Sequence, residues 1–223
     1  MRSHTDHDHE ATRRFYDRIS GAYDLISDAG EAAARRRGIE LLAVRPGERV
    51  AEIGYGTGHA LEALALAVGP TGRVAGIDIS DGMRREADRR LERAALTERV
   101  ELQVGVAPPL PWPDDEFDAV FMSFTLELFP DDVIPALLGE VARVLRPAGR
   151  LGVVAMAEPP PGHRLNPLER AYRFMHQHFP HIVDCRPLEV ADTLTAGGFK
   201  VAESASFDIW TLPVTAAVAR RRA

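Results

Sequence analysis

Three glycines, Gly54, Gly56 and Gly58, alternate behind Glu52 in VAEIGYGTGHALEALALAV (residues 50–68), where an apolar run gives way to a helical one. Such a turn lets backbone N–H groups and a helix N-terminus approach a ligand closely, as nucleotide sites require. A triphosphate loop needs a lysine and a hydroxyl residue after its last glycine; here His59, Ala60 and Leu61 follow. A dinucleotide fingerprint puts a further glycine three residues after its second. Counted from Gly54 and Gly56 that place holds His59, and counted from Gly56 and Gly58 it holds Leu61, which weakens the dinucleotide reading without excluding it. A carboxylate at Glu52 would repel pyrophosphate and attract a cationic amino-acid head group. Asp78 closes the next apolar run, RVAGIDI, where an acid can accept hydrogen bonds from two ribose hydroxyls. The implied ligand has a ribose, a positive charge and no phosphate. S-adenosylmethionine meets all three conditions.

The elements that must hold these residues alternate. RVAEI, RVAGIDI, VELQV, FDAVFMSF and RLGVVAM read as five strands, the first of them short and buried, ending at residues 53, 79, 104, 124 and 156. Between them lie an Ala/Leu helix after Gly58, a helix with Met83, Ala87, Leu91 and Ala94 on one face, and a helix opened by Asp131 with Val133, Ile134, Leu137, Leu138, Val141 and Leu145 toward the core. The acidic start and the Arg143/Arg146 end of the last suit a helix dipole. This order predicts an α/β fold with a mostly parallel sheet and helices on both faces. FKVAESASF and TLPVTAAVAR can pair as a terminal antiparallel hairpin, and NPLERAYRFMHQHFP reads as an amphipathic helix capped by Asn166. Residues 1–12 read as a mobile tail, 13–223 as a single domain and 157–197 as a segment added on the substrate side.

Composition narrows the classes further. Hydrophobic residues are 45% of the chain and charged ones 27%, an ordinary globular balance. A formal net charge of −6 argues against a nucleic-acid partner. A lone cysteine, Cys185, offers neither a disulfide nor a metal cluster, and no apolar run is long enough for a membrane span. The expectation is a cytoplasmic protein without integral membrane association and without a metal; a homodimer is left open.

Four stretches in order, VAEIGYGTGH, VAGIDIS, LPWPDDEFDAVFMSF and VARVLRPAGRL, look like successive motifs of class I S-adenosylmethionine-dependent methyltransferases. With the lead-in FYDRISGAYD, the chain most resembles the ubiquinone/menaquinone-biosynthesis methyltransferase family, over roughly residues 13–156. That resemblance implies a Rossmann-like seven-stranded sheet with an antiparallel terminal strand. It implies S-adenosyl-L-methionine as cofactor, with Glu52 near its ammonium and Gly54, Gly56 and Gly58 against its methionyl and ribose portions. Asp78 would take the ribose hydroxyls, Ile79 and Met83 would pack on adenine, and Ser123 would lie beside the methyl donor. Residues 13–45 would form cover helices, bringing Tyr16 and Tyr23 over the cofactor. Met83 and both tyrosines also suit plain core positions. One departure stands out: Gly105-Val106-Ala107 replaces the family's Gly-Asp-Ala, whose aspartate accepts the adenine amino group.

The expected reaction is methyl transfer to carbon or oxygen of a small acceptor, apolar or aromatic given Tyr172, Phe174, Met175 and Phe179 in the added segment. Candidate bases are His163, His176, His178, His181 and Glu127, of which His176 and Glu127 are the two carried forward. Two rivals remain: a methyltransferase fold that binds the cofactor for a non-methylating activity, and an NAD-dependent oxidoreductase.

Overall fold

The computed structural model describes residues 10, 13–14, 16–17, 31–158, 186–209 and 212–222. Tyr23, His163, His176, His178, His181 and Cys185 lie outside these, as does most of the 157–197 segment.

A first helix, α1, covers residues 31–42. Strands β1 (Arg49–Ile53), β2 (Arg73–Asp78), β3 (Val100–Val104), β4 (Phe117–Ser123) and β5 (Leu145–Met156) follow, with α2 (His59–Ala67), α3 (Asp81–Arg93) and α4 (Ile134–Val144) between them. After α5 (Val190–Ala196), strands β6 (Phe199–Ile209) and β7 (Leu212–Arg221) form the expected hairpin. One seven-stranded sheet results, in the order β3-β2-β1-β4-β5-β7-β6. Strands β1 to β5 pair in parallel, whereas β7 runs antiparallel to both β5 and β6.

The central strands are buried on both faces, so their sequences read as continuous apolar runs. One face packs Ile53, Ile77, Val120, Met122 and Val153 against α4 and α5 residues such as Leu137 and Leu194. The other packs Val50, Val74, Phe121 and Val154 against Leu42 of α1, Leu61 and Leu64 of α2, and Leu91 of α3. Two boundaries differ from the periodicity. The helix expected from Asp131 begins at Ile134 with Pro135 in its first turn, and Asp131 instead pairs with Arg186 at 2.6 Å. Strand β5 starts at Leu145 rather than Arg150, because residues 146–149 bulge between the Phe117↔Leu145 and Ala119↔Arg150 pairings; Leu145 therefore belongs to the strand.

Helix α1 is locked to the sheet at two points. At Gly38 the helix lies so close that a Cβ would stand 2.3 Å from Val154 Cγ2 and 3.2 Å from Phe121. At its C-terminus, buried Arg150 donates to the carbonyls of Leu42 and Ala43 and pairs with Glu48 at 2.6 Å. A guanidinium on the last free carbonyls satisfies orphan acceptors and complements the helix dipole.

Candidate active site

Parallel strands point their carboxyl ends the same way, and the order reverses between β1 and β4. Open α/β sheets bind ligands at such a switch point. A cavity of about 260 Å³ opens there, lined by residues of the β1–α2 turn, the end of β2, the loop after β3 and the loop after β4, with Tyr16, Glu31 and Arg35 from the N-terminal side.

The glycine turn is held from three sides. Gly54 has φ +71°, and a Cβ on it would come within 2.4 Å of Thr125 Cγ2 and 2.5 Å of its Oγ1. Thr125 donates to the Gly54 and Ser123 carbonyls at 3.3 and 3.0 Å, tying the turn to the loop after β4. Gly58, at φ +86°, lies against Ala87 of α3. From α3, Arg90 reaches the Thr57 carbonyl at 3.0 Å and His59 Nε2 at 2.8 Å. Gly56, at φ +51°, is different: a Cβ there would meet nothing within 4 Å. Asp78 completes the turn by accepting the Gly56 N–H on Oδ2 and the Ser80 N–H on Oδ1, both at 2.9 Å. Each oxygen keeps capacity for a further donor. Burial pushes its carboxyl above the usual range in spite of these donors.

Glu52, at the end of β1, is 2% exposed, and its Oε2 has no hydrogen-bond partner. Burial raises it well above the ordinary carboxyl range, opposed by the positive charge of Arg35 and reinforced by Asp78. Ser123 Oγ, at the end of β4, is likewise buried and unpartnered. Ile79, Met83, Val106 and Ala107, from the end of β2, α3 and the loop after β3, also line the cavity, and Val106 is 42% exposed. Phe124, Leu128, Phe129 and Pro130, from the loop after β4, add apolar residues to the lining. Tyr16 reaches the lining through an anchored neighbour: Asp17 accepts from Ser80 Oγ and the Gly82 N–H at 2.7 Å, at the N-terminus of α3.

The residues singled out in the sequence therefore largely converge. Glu52, Gly54, Gly56, Asp78, Ile79, Met83, Val106, Ala107, Ser123 and Tyr16 all line the cavity, while Gly58 supports the turn from behind. Glu127 is in the neighbourhood but not on the wall. It is 1% exposed in the 3-10 turn Leu126–Leu128, and its Oε1 accepts the Met156 N–H at 3.0 Å, pinning that turn to the end of β5. Burial lifts its pKa to about 8, so it is mostly protonated at neutral pH. The sign for stability follows: the folded state holds this proton from the unfolded carboxyl range up to about pH 8, so stability falls as pH rises across that window. Glu127→Gln keeps an acceptor for Met156 but cannot ionise. Its Tm, measured from pH 5 to 9, is expected to fall less steeply with pH than the parent's; parallel curves would refute the assignment.

Arg35, Glu31, Thr125 and the Leu128-Phe129-Pro130 wall were missed in the sequence. For Arg35 the sequence carried no signal: it reaches the wall because α1 packs closely on the sheet at Gly38. Among the described residues no His/Cys/Asp/Glu group could hold a metal ion, and no helix is long and apolar enough to cross a membrane.

An open α/β sheet with a glycine turn, an acid at the end of β2 and a cavity at its switch point is a Rossmann-like ligand-binding fold. Residues 50–149 match the methyltransferase-domain family model. Nocamycin O-methyltransferase of Saccharothrix syringae is 35% identical over 202 residues, which are 82% of this chain and 70% of that protein. The demethylmenaquinone methyltransferase of Symbiobacterium thermophilum is 32% identical over 151 residues, 66% of this chain and 59% of its own length. Among solved structures, the 1,6-didemethyltoxoflavin-N1-methyltransferase of Burkholderia thailandensis, with S-adenosylhomocysteine bound, superposes with a TM-score of 0.72 at 21% identity, covering 97% of this chain and 90% of that one. The chain belongs to the class I S-adenosylmethionine-dependent methyltransferases, and S-adenosylmethionine is the cofactor of that family.

The site fits that cofactor on its own chemistry. It offers an orphaned buried carboxyl for an ammonium, an acid with spare acceptor capacity for two hydroxyls, open space over Gly56, and an apolar end for a base.

Proposed function

We propose that this chain transfers a methyl group from S-adenosylmethionine to carbon or oxygen of a small apolar or aromatic acceptor, in the cytoplasm. One observation carries the reading: Glu52 Oε2 and Ser123 Oγ are both buried without partners on the wall of one cavity. Each unpaired buried polar atom costs about 1–3 kcal/mol, so two on one wall argue for a ligand that pairs them.

When bound, S-adenosylmethionine supplies a methyl group already activated by its positive sulfur. Glu52 would hold its ammonium, Asp78 its ribose hydroxyls, and Ile79, Met83, Val106 and Ala107 its base. Ser123 would border the transferable methyl, with Tyr16 as cover. The chain's remaining work is alignment and exclusion of water. Phe124, Leu128, Phe129 and Pro130 give the lining apolar side chains, which suit an apolar ring better than a charged acceptor. The names of the nocamycin and demethylmenaquinone relatives, both small-molecule methyltransferases, support the same class. No proton acceptor is assigned, since Glu127 lies off the wall.

The test is incubation with methyl-labelled S-adenosylmethionine and a panel of quinones, phenols and enolic acceptors. Label in the acceptor, with S-adenosylhomocysteine formed alongside, is the expected result. Tight S-adenosylhomocysteine binding with no label moved to any of the panel would favour the non-methylating reading. Binding of NAD in place of the adenosyl ligands would return the chain to the oxidoreductases.

A further inference from the structure

Three segments distant in sequence meet beside the apolar part of the cavity lining. The loop after β4 carries Leu128, Phe129 and Pro130 onto the wall. Its 3-10 turn, Leu126–Leu128, is closed by the N–H groups of Leu128 and Phe129, which donate to the Thr125 and Leu126 carbonyls at 3.0 and 3.3 Å. A single turn of this kind is a weak element by itself. Phe129 precedes a proline and is extended, with φ −81° and ψ 140°, so the turn ends there and the Phe129 carbonyl needs a donor from elsewhere. Arg186 supplies it: Nη2 donates to the Phe129 carbonyl at 2.9 Å, while Nη1 pairs with Asp131 at 2.6 Å. Arginine suits this place because its planar fork serves two acceptors at once.

This tether closes a circuit. Two residues after Arg186, the Leu188 N–H donates to the Met156 carbonyl at 2.9 Å, and Ala157 bridges Leu188 in parallel. The Met156 N–H in turn donates to Glu127, in the same 3-10 turn. The circuit thus runs from the turn to the end of β5, on to Leu188 and Arg186, and back to Phe129. The Asp131 side chain is 83% exposed, so its ion pair is screened and contributes little; the bond to the Phe129 carbonyl is the one that fixes the turn. We propose that Arg186, outside the matched residues 50–149, is a positioning residue for the acceptor: by holding the Phe129 carbonyl it keeps Leu128, Phe129 and Pro130 on the wall and limits the size of ring the site accepts. The inference rests on the proposed transfer to an apolar ring and adds what restricts that ring.

The experiment compares the parent with Arg186→Met, which keeps aliphatic bulk and loses both donors, and with Asp131→Asn, which removes the charge of the ion pair and leaves the carbonyl bond. Label transfer from S-adenosylmethionine is measured with catechol and with 2,3-dihydroxynaphthalene, the same acceptor chemistry on one ring and on two. In Arg186→Met the ratio of kcat/KM for the two-ring over the one-ring acceptor is expected to rise at least fivefold, with S-adenosylhomocysteine affinity within twofold of the parent's. Asp131→Asn should leave the ratio within twofold. Loss of folded protein scales both acceptors alike, so an unchanged ratio in Arg186→Met would overturn the proposal. An equal rise in Asp131→Asn would overturn it too, by crediting the ion pair instead of the carbonyl. Hydrogen exchange reads the tether without any acceptor. The Leu128 and Phe129 amides should exchange at least tenfold faster in Arg186→Met, while those of Gly54 and Gly58 keep the parent's rates; uniform acceleration, or none, would refute the tether. Silence from the parent toward every acceptor of the panel would instead overturn the methyl-transfer reading on which the inference rests.

Discussion

Asp78→Ala is expected to lower affinity for S-adenosylhomocysteine by about 100-fold or more. On the proposed placement two hydrogen bonds from ribose hydroxyls to a carboxylate are lost, at about 1.5–3 kcal/mol each, and about 1.4 kcal/mol is a factor of ten. A second loss adds to the first. The same carboxylate accepts the Gly56 and Ser80 N–H groups, so its removal also frees the turn that should lie against the ligand. Calorimetric titration of the parent and the variant measures this directly. An affinity within a few-fold of the parent's would mean that Asp78 serves only the turn and that the nucleoside lies elsewhere.

The glycines separate folding from binding. Gly56→Ala puts its methyl into open space at the cavity wall, so the fold pays only for a left-handed alanine, about 1–2 kcal/mol. Melting should drop by a few degrees while S-adenosylhomocysteine binding falls more than tenfold. Gly54→Ala has the same backbone strain and also drives a methyl to within 2.4 Å of Thr125 Cγ2. It is expected to lose several kcal/mol of stability, as overpacked buried positions do. Thr125→Ala removes the two atoms that clash and should restore part of that loss, a non-additivity that neighbours in contact produce. Thermal melts of Gly54→Ala, Gly56→Ala and Gly54→Ala/Thr125→Ala decide the matter. Equal stability for the two single variants would refute the distinction between a packed glycine and an open one.

How much of this was legible in the sequence follows from how local each determinant is. Strand β3 to Val104 could be read because an edge strand alternates apolar with polar residues, and the ends of β1 at Ile53 and of β4 within one residue of Ser123 because central strands are rich in runs of buried apolar residues. Glu52, Gly54, Gly56 and Asp78 could be read because each lies at the end of such a run, where topology alone puts it at the site. Arg35 could not. Its place on the cavity wall depends on α1 packing against β4 and β5 at Gly38, a contact between residues more than eighty positions apart that no periodicity encodes. Glu127 shows the converse. Its neighbourhood was right, but whether a side chain at a strand end faces the cavity or the adjacent strand is decided by a single rotation of the turn, and here it turns toward Met156. The start of β5 was missed because its first pairing precedes a bulge, and a bulge interrupts the alternation that reveals a strand.

Strand β7 is last in the chain but sits between β5 and β6 in the sheet. During synthesis, β6 emerges with no edge to join, since among the described residues its partner in the sheet is β7 alone. Meanwhile β5 offers a bare edge running through Leu151, Val153 and Ala155, all wholly buried once β7 has docked. A flat, apolar, unpaired edge of this kind is a template for wrong pairing with another nascent chain. The parallel half of the molecule, and with it the glycine turn and Asp78, can assemble before this point. The finished sheet cannot, so the interval between the emergence of β5 and of β7 is when the chain is most exposed to aggregation.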